Sequence, residues 1–183
     1  FESKAWVKLD YRIGTIIEAA GVALGLLFLY FGVTTQGQES TVFYTASAVV
    51  LMTALHPIAH SIAGWLYGIR FHYYFLNGPM LIEPTLKVDY STYVKAPAKN
   101  RALFHLAGAL NSVLTTFFAL LVSLLDAHAE PVTRAVLAAL WIFTTGSEVF
   151  PLIFIKLGIP KILFADFRKT DSYRALREWR LRK

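Results

Sequence analysis

Two histidines four residues apart, His56 and His60, stand inside a long apolar stretch of this 183-residue chain. That spacing puts both imidazoles on one face of a helix. Two ring nitrogens on one face can hold a metal ion; zinc would want a third ligand and, for catalysis, an open position. Further apolar stretches carry His105, Asn111 and Glu148. With a helical rise of about 1.5 Å per residue, His56 and His60 lie roughly 13–20 Å and 10–15 Å from one end of their helix. Counted from the same side, Asn111 and Glu148 fall at about 13 Å, with His105 shallower. Three helices thus bring imidazoles, an amide and a carboxylate to a similar depth. Ionisable groups at such depth are expensive and are candidates for function. A metal site is one reading, and hydrogen bonds that hold helices together are the other. A lone His-x-x-x-His leaves both open. A haem between His60 and His105 is a third reading, although two histidines on one helical face suit a compact ion better.

The elements that must position these groups are membrane helices. Apolar residues make up 56% of the chain and charged residues only 16%, where a soluble domain has about a quarter charged. Four stretches reach the roughly 20 apolar residues that a bilayer span needs: 13–33, 42–69, 102–125 and 135–157. The first is longer than a signal-peptide core and lacks a small-residue cleavage site. Short polar links, 34–40 and 126–134, suit antiparallel neighbours. All but Arg134 of the 18 Lys and Arg residues fall in the N-terminal segment, the 70–101 loop and the C-terminal end from Lys156 onward. Basic residues concentrate on the cytoplasmic side, which predicts a multi-pass protein with both termini and the large loop cytoplasmic. The net charge of +6 then serves orientation and anionic lipid headgroups rather than nucleic acid. Without cysteine, disulfides, thiolate metal sites and cysteine nucleophiles are excluded. The fold expected is one α-helical integral membrane domain of four spans.

Two smaller elements accompany the spans. Arg70 to Leu76 reads as a strand, Asn77-Gly78 as a hairpin turn, and Met80 to Val88 as a return strand that Pro84 confines to an edge or bulge. Ser172 to Lys183 reads as a basic amphipathic helix on the membrane surface, with Tyr173, Leu176 and Trp179 or Leu181 facing inward. Asp171, just ahead of it, has the residue type of an N-cap.

From roughly Val42 to the end of the chain, the order of motifs resembles the site-2 protease family of intramembrane zinc metalloproteases. His56-Pro-Ile-Ala-His60 followed by a cytoplasmic hairpin is similar to the family's His-Glu-x-x-His helix and hairpin. His105-Leu-Ala-Gly-Ala-Leu-Asn111 resembles its Ala-Gly-Pro-x-x-Asn helix, without the proline and with Asn111 one residue closer. Glu148-Val-Phe-Pro151 stands where the family has Asn-x-x-Pro. Asp171-Ser172 stands where it has the Asp-Gly that supplies a third zinc ligand. The resemblance implies zinc held by His56, His60 and Asp171, with Glu148 as an alternative ligand, and an accessory first span.

One departure bears on activity. The family's general base, the glutamate between the histidines, is replaced by Pro57, which accepts no proton. Losing such a base typically costs 10²–10⁴-fold in rate. The expectation is a catalytically impaired relative that binds or scaffolds other membrane proteins. One alternative is a metal-free accessory subunit of a larger membrane complex, electron-transfer or photosynthetic. A second is an active peptidase with Glu148 as substitute base.

Overall fold

The computed structural model describes residues 7–77, 83–162 and 165–182. Four helices dominate it: α1 (Tyr11–Thr34), α2 (Gln38–Tyr67), α4 (Ala98–Leu125) and α5 (Pro131–Lys156). All are long and apolar enough to cross a membrane. Their outward faces carry Ile16, Ile62, Leu114 and Phe143, each more than half exposed, a surface that suits lipid rather than water. The helices start up to four residues before the apolar runs expected from the sequence, because polar turns such as Gln38–Ser40 are already helical. The second ends at Tyr67 instead of residue 69, since Gly68 takes up a left-handed conformation (φ 73°) that closes the helix.

Helix α1 lies on α2 along a seam of small residues. A side chain at Gly25 would sit 2.6 Å from Leu51 Cγ, and one at Gly21 would sit 3.0 Å from Ala54 Cβ. The close approach lets α2 hydroxyls reach α1 carbonyls: Ser47 donates to Gly25 O at 2.8 Å and Ser40 to Gly32 O at 2.7 Å. Apolar attraction between helices is weak in lipid, so such packing and hydrogen bonding hold them. Thr116 and Thr144 join α4 to α5 at 2.9 Å, and Thr41 and Thr133 join α2 to α5 at 2.6 Å.

At the end of the bundle near His60, three strands form a sheet in the order β1 (Lys8–Asp10), β2 (Phe71–Asn77), β3 (Glu83–Val88), all antiparallel. The expected hairpin is therefore two strands of three, and its turn at Gly78 lies outside the described residues. Strand β1 was not expected, because three residues carry no periodicity; it covers an edge of β2 that would otherwise be open. Pro84 lies on the outer strand opposite Leu76, where a missing N–H breaks no inner ladder. A short helix, α3 (Tyr90–Lys95), leads from the sheet into α4, its start capped by Asp89, which accepts Ser91 N–H at 3.0 Å. After α5 come a two-residue ribbon of β4 (Lys161–Ile162) and β5 (Ala165–Asp166), then a single turn, Phe167–Lys169.

The chain then returns across the bundle as α6 (Asp171–Arg180), packed on α4. Its inward face is not the one expected. Ala175 and Glu178 are buried, Tyr173 and Leu176 half-buried, and Trp179 and Leu181 point outward. Two acidic residues turn the helix: Asp171 and Glu178, seven residues apart and so on one face, both find polar partners in the bundle.

The α1–α2 seam makes a test. Gly25→Leu would force two backbones apart; overpacking typically costs about 1–3 kcal/mol. A lowered melting midpoint in detergent, with Ile16→Leu on the exposed face of the same helix as a control, is the expected outcome.

A candidate metal centre at the end of the bundle

Helix α2 presents His56 and His60 toward α4 and α6. Their rings lie 4.9 Å apart between centroids, at 76° to one another. Helix α6 supplies Asp171 from 111 residues further along the chain. Its Oδ2 lies 2.8 Å from His60 Nε2 and 3.2 Å from His56 Nε2. One ligand atom from each of the three residues falls within 4.8 Å of the others, a group that could hold a metal ion.

The outer ring nitrogens decide what the inner ones offer. His60 Nδ1 lies 3.0 Å from the carbonyl oxygen of Phe104. A carbonyl only accepts, so Nδ1 carries the hydrogen and Nε2 of the neutral ring turns a lone pair toward Asp171. His56 Nδ1 lies 3.0 Å from Ser112 Oγ, whose own hydroxyl donates to Gly108 O. Ser112 thereby receives His56 Nδ1–H. Two nitrogen lone pairs and a carboxylate oxygen thus converge, and acceptors this close need a cation among them, either a proton or a metal. Imidazoles fixed through their far nitrogen are the usual setting of metal-ligating histidines. Two nitrogens and one oxygen fit zinc's preference.

Asp171 itself is held as a carboxylate. When protons rather than a metal lie among these atoms, burial alone would push the pKa of Asp171 up, but the charge of His60 and hydrogen bonds from His105, His56 and His60 take it well below the usual range. The N-cap role is overturned: Thr170 occupies the cap position, and Asp171 spends its oxygens on three histidines. Glu148 takes over that duty from α5. Its Oε2 accepts Ser172 N–H at 3.3 Å, and its backbone oxygen accepts Ser172 Oγ–H at 2.8 Å. A carboxylate there also suits the positive end of the helix. The alternative of Glu148 as a ligand loses support, since it does not belong to the convergent group.

His105 reaches the same aspartate from α4, its Nδ1 3.0 Å from Oδ1. The haem reading fails here: the His60 and His105 rings lie 6.3 Å apart with the Asp171 carboxylate bridging them, leaving no room for a macrocycle. The Asn111 side-chain nitrogen is buried without a hydrogen-bond partner among the described residues. His72 and His128 take no part; His72 is 3.7 Å from Asp89 on the sheet.

Sequence reasoning missed three contributors. Gly108 is one: a Cβ there would strike the His60 ring and come within 2.9 Å of Asp171 Oδ2. Its place on the face of His105 and Ser112, three and four residues away, was a usable signal. Tyr93 and Ser112 gave none, because their partners are remote in sequence. Glu18, 6% exposed, is a further carboxyl within the apolar helix α1 that its surroundings should have flagged. It stands near Tyr74, away from the histidines.

No family profile, curated protein or solved structure matches this chain. The site therefore rests on its own geometry.

What seats Asp171 is the other end of its helix. Glu178, 4% exposed, accepts from Arg101 Nε at 2.7 Å and Arg177 Nη2 at 2.9 Å, and Tyr93 donates to it at 3.3 Å. Tyr93's phenol is pushed up to about 12 by burial and then by Glu178. Burial raises the pKa of Glu178, and Arg101 and Arg177 more than reverse this, leaving it below the ordinary carboxylate value. A depressed pKa contributes stability above the unfolded value that is lost as pH falls through the folded one. Acidification below about pH 4.5 should therefore loosen α6. Trypsin, which cuts after Arg174, Arg177 and Arg180, should release the tail slowly at neutral pH. In Arg101→Met it should do so many-fold faster, since removing one partner of a buried pair typically costs about 3–5 kcal/mol.

Proposed function

We propose that the chain is a four-span membrane protein with a site-2-protease-like core, its basic end in the cytoplasm, which binds zinc through His56, His60 and Asp171. It works by binding other membrane proteins rather than by cutting them. The observation that carries this reading is the convergence of the triad: a carboxylate meets two histidines of a neighbouring helix on their metal-facing nitrogens. The order of motifs in the sequence agrees with it.

Zinc held there would polarise a bound oxygen. The chain's own residues do the rest, and they lack a proton acceptor at the place where a peptidase needs one. Pro57 is fully buried and α2 runs through it as continuous helix. Glu148 caps α6. His56 is the most open of the ligands, 21% of its side chain exposed against 11% for His60. The cluster thus has an accessible side, and a polypeptide bound there would meet a metal without a base.

Elemental mass spectrometry of the purified protein tests the metal. About one zinc per chain, lost in His60→Ala, is expected. A wild-type chain without metal would leave an accessory subunit whose histidines and aspartate tie helices together. For the chemistry, no cleavage of a transmembrane peptide is expected from the wild type. Turnover should appear, at least tenfold above background, in Pro57→Glu. Wild-type cleavage that disappears in Glu148→Gln would sink the non-cleaving reading in favour of Glu148 as base.

A further inference from the structure

We infer that His105 is the positioning residue that holds Asp171 to a single ligating oxygen, with Tyr93 fixing the ring of His105. The inference rests on the metal reading above and concerns how that site is built.

The two oxygens of Asp171 have separate duties. Oδ2 faces His56 and His60, while Oδ1 lies 3.0 Å from His105 Nδ1. An ionised carboxylate only accepts, so His105 donates and Oδ1 is engaged. A carboxylate with both oxygens free can turn and grip an ion with both. With Oδ1 anchored it presents one lone pair, in the direction of the two Nε2 atoms. The anchor is itself anchored. His105 Nε2 lies 3.0 Å from the Tyr93 hydroxyl, and the ring is walled by Phe104 at 5.0 Å and Tyr93 at 5.9 Å between centroids. Tyr93 in turn contacts Glu178, near the far end of the helix that carries Asp171. His105 is 6% exposed, so its ring is held by protein contacts rather than by water.

The consequence is metal choice as well as affinity. Two imidazoles with one carboxylate oxygen suit zinc, whereas calcium takes carboxylates readily in the two-oxygen mode and wants many oxygens. His105 would thus tune the site toward zinc without touching the ion.

The test uses the full chain in detergent, with zinc affinity measured by chelator competition and cobalt(II) as a visible probe. His105→Leu should weaken zinc about 10–100-fold, the usual effect of losing an outer partner of a ligand. Its cobalt bands should also weaken as the freed oxygen joins the ion. His105→Asn places an amide N–H near the position of Nδ1 and should stay within about threefold of wild type, with the wild-type cobalt spectrum. Helix content and elution profile report that both variants fold. A folded His105→Leu with wild-type affinity and spectrum overturns the inference and leaves zinc binding intact. A folded His105→Asn as weak as His105→Leu also overturns it, since the donated hydrogen is then not what matters. A wild-type chain that binds no zinc removes the proposed function and this inference with it.

Discussion

The carboxylate of Asp171, shared by three histidines from two helices, is the contact on which the end of the bundle depends. Each histidine is expensive in an apolar setting unless its nitrogens are satisfied. His60 satisfies one on a backbone carbonyl, His56 on a serine and His105 on a tyrosine. All three spend the other on Asp171. Without that group, three closely packed imidazoles would face one another with nothing to accept or balance them. The chain therefore brings its C-terminal helix back to the bundle, and the lack of a side chain at Gly108 makes room for it.

A second polar contact, Glu178 with Arg101, Arg177 and Tyr93, holds the same helix from its other end. Buried ion pairs contribute little net stability against an apolar alternative. They do penalise misplacement, because each charge is left unpaired if the helix rotates. That specificity explains why α6 exposes Trp179 and Leu181 while burying glutamate. A helix guided by apolar burial alone would sit the other way round, and Asp171 would leave the site.

The spans follow a different rule. Their outer faces stay apolar and their contacts are made by glycine, serine and threonine. Hydroxyls of α2 donate to α1 carbonyls at Gly25 and Gly32, and paired threonines join α2 and α4 to α5. Polar chemistry is concentrated at the end where α3, α6 and the sheet cover the helices. This division suits four helices that are long and apolar enough to cross a membrane.

The four helices, their approximate limits and the two histidines on one face were legible in the sequence, because long apolar runs and a four-residue spacing are local properties. That Asp171 would join the two histidines was legible too, but only through the order of motifs; its local surroundings pointed to an N-cap. Glu148 was drawn into the site by depth, and the fold gave it the cap instead. Depth along a helix says nothing of rotation about its axis or of which neighbour stands opposite. Strand β1, the tyrosine behind His105, the serine behind His56 and the orientation of α6 depend on contacts between segments dozens of residues apart. Those contacts exist only once the tail has folded back, so tertiary structure alone decided them.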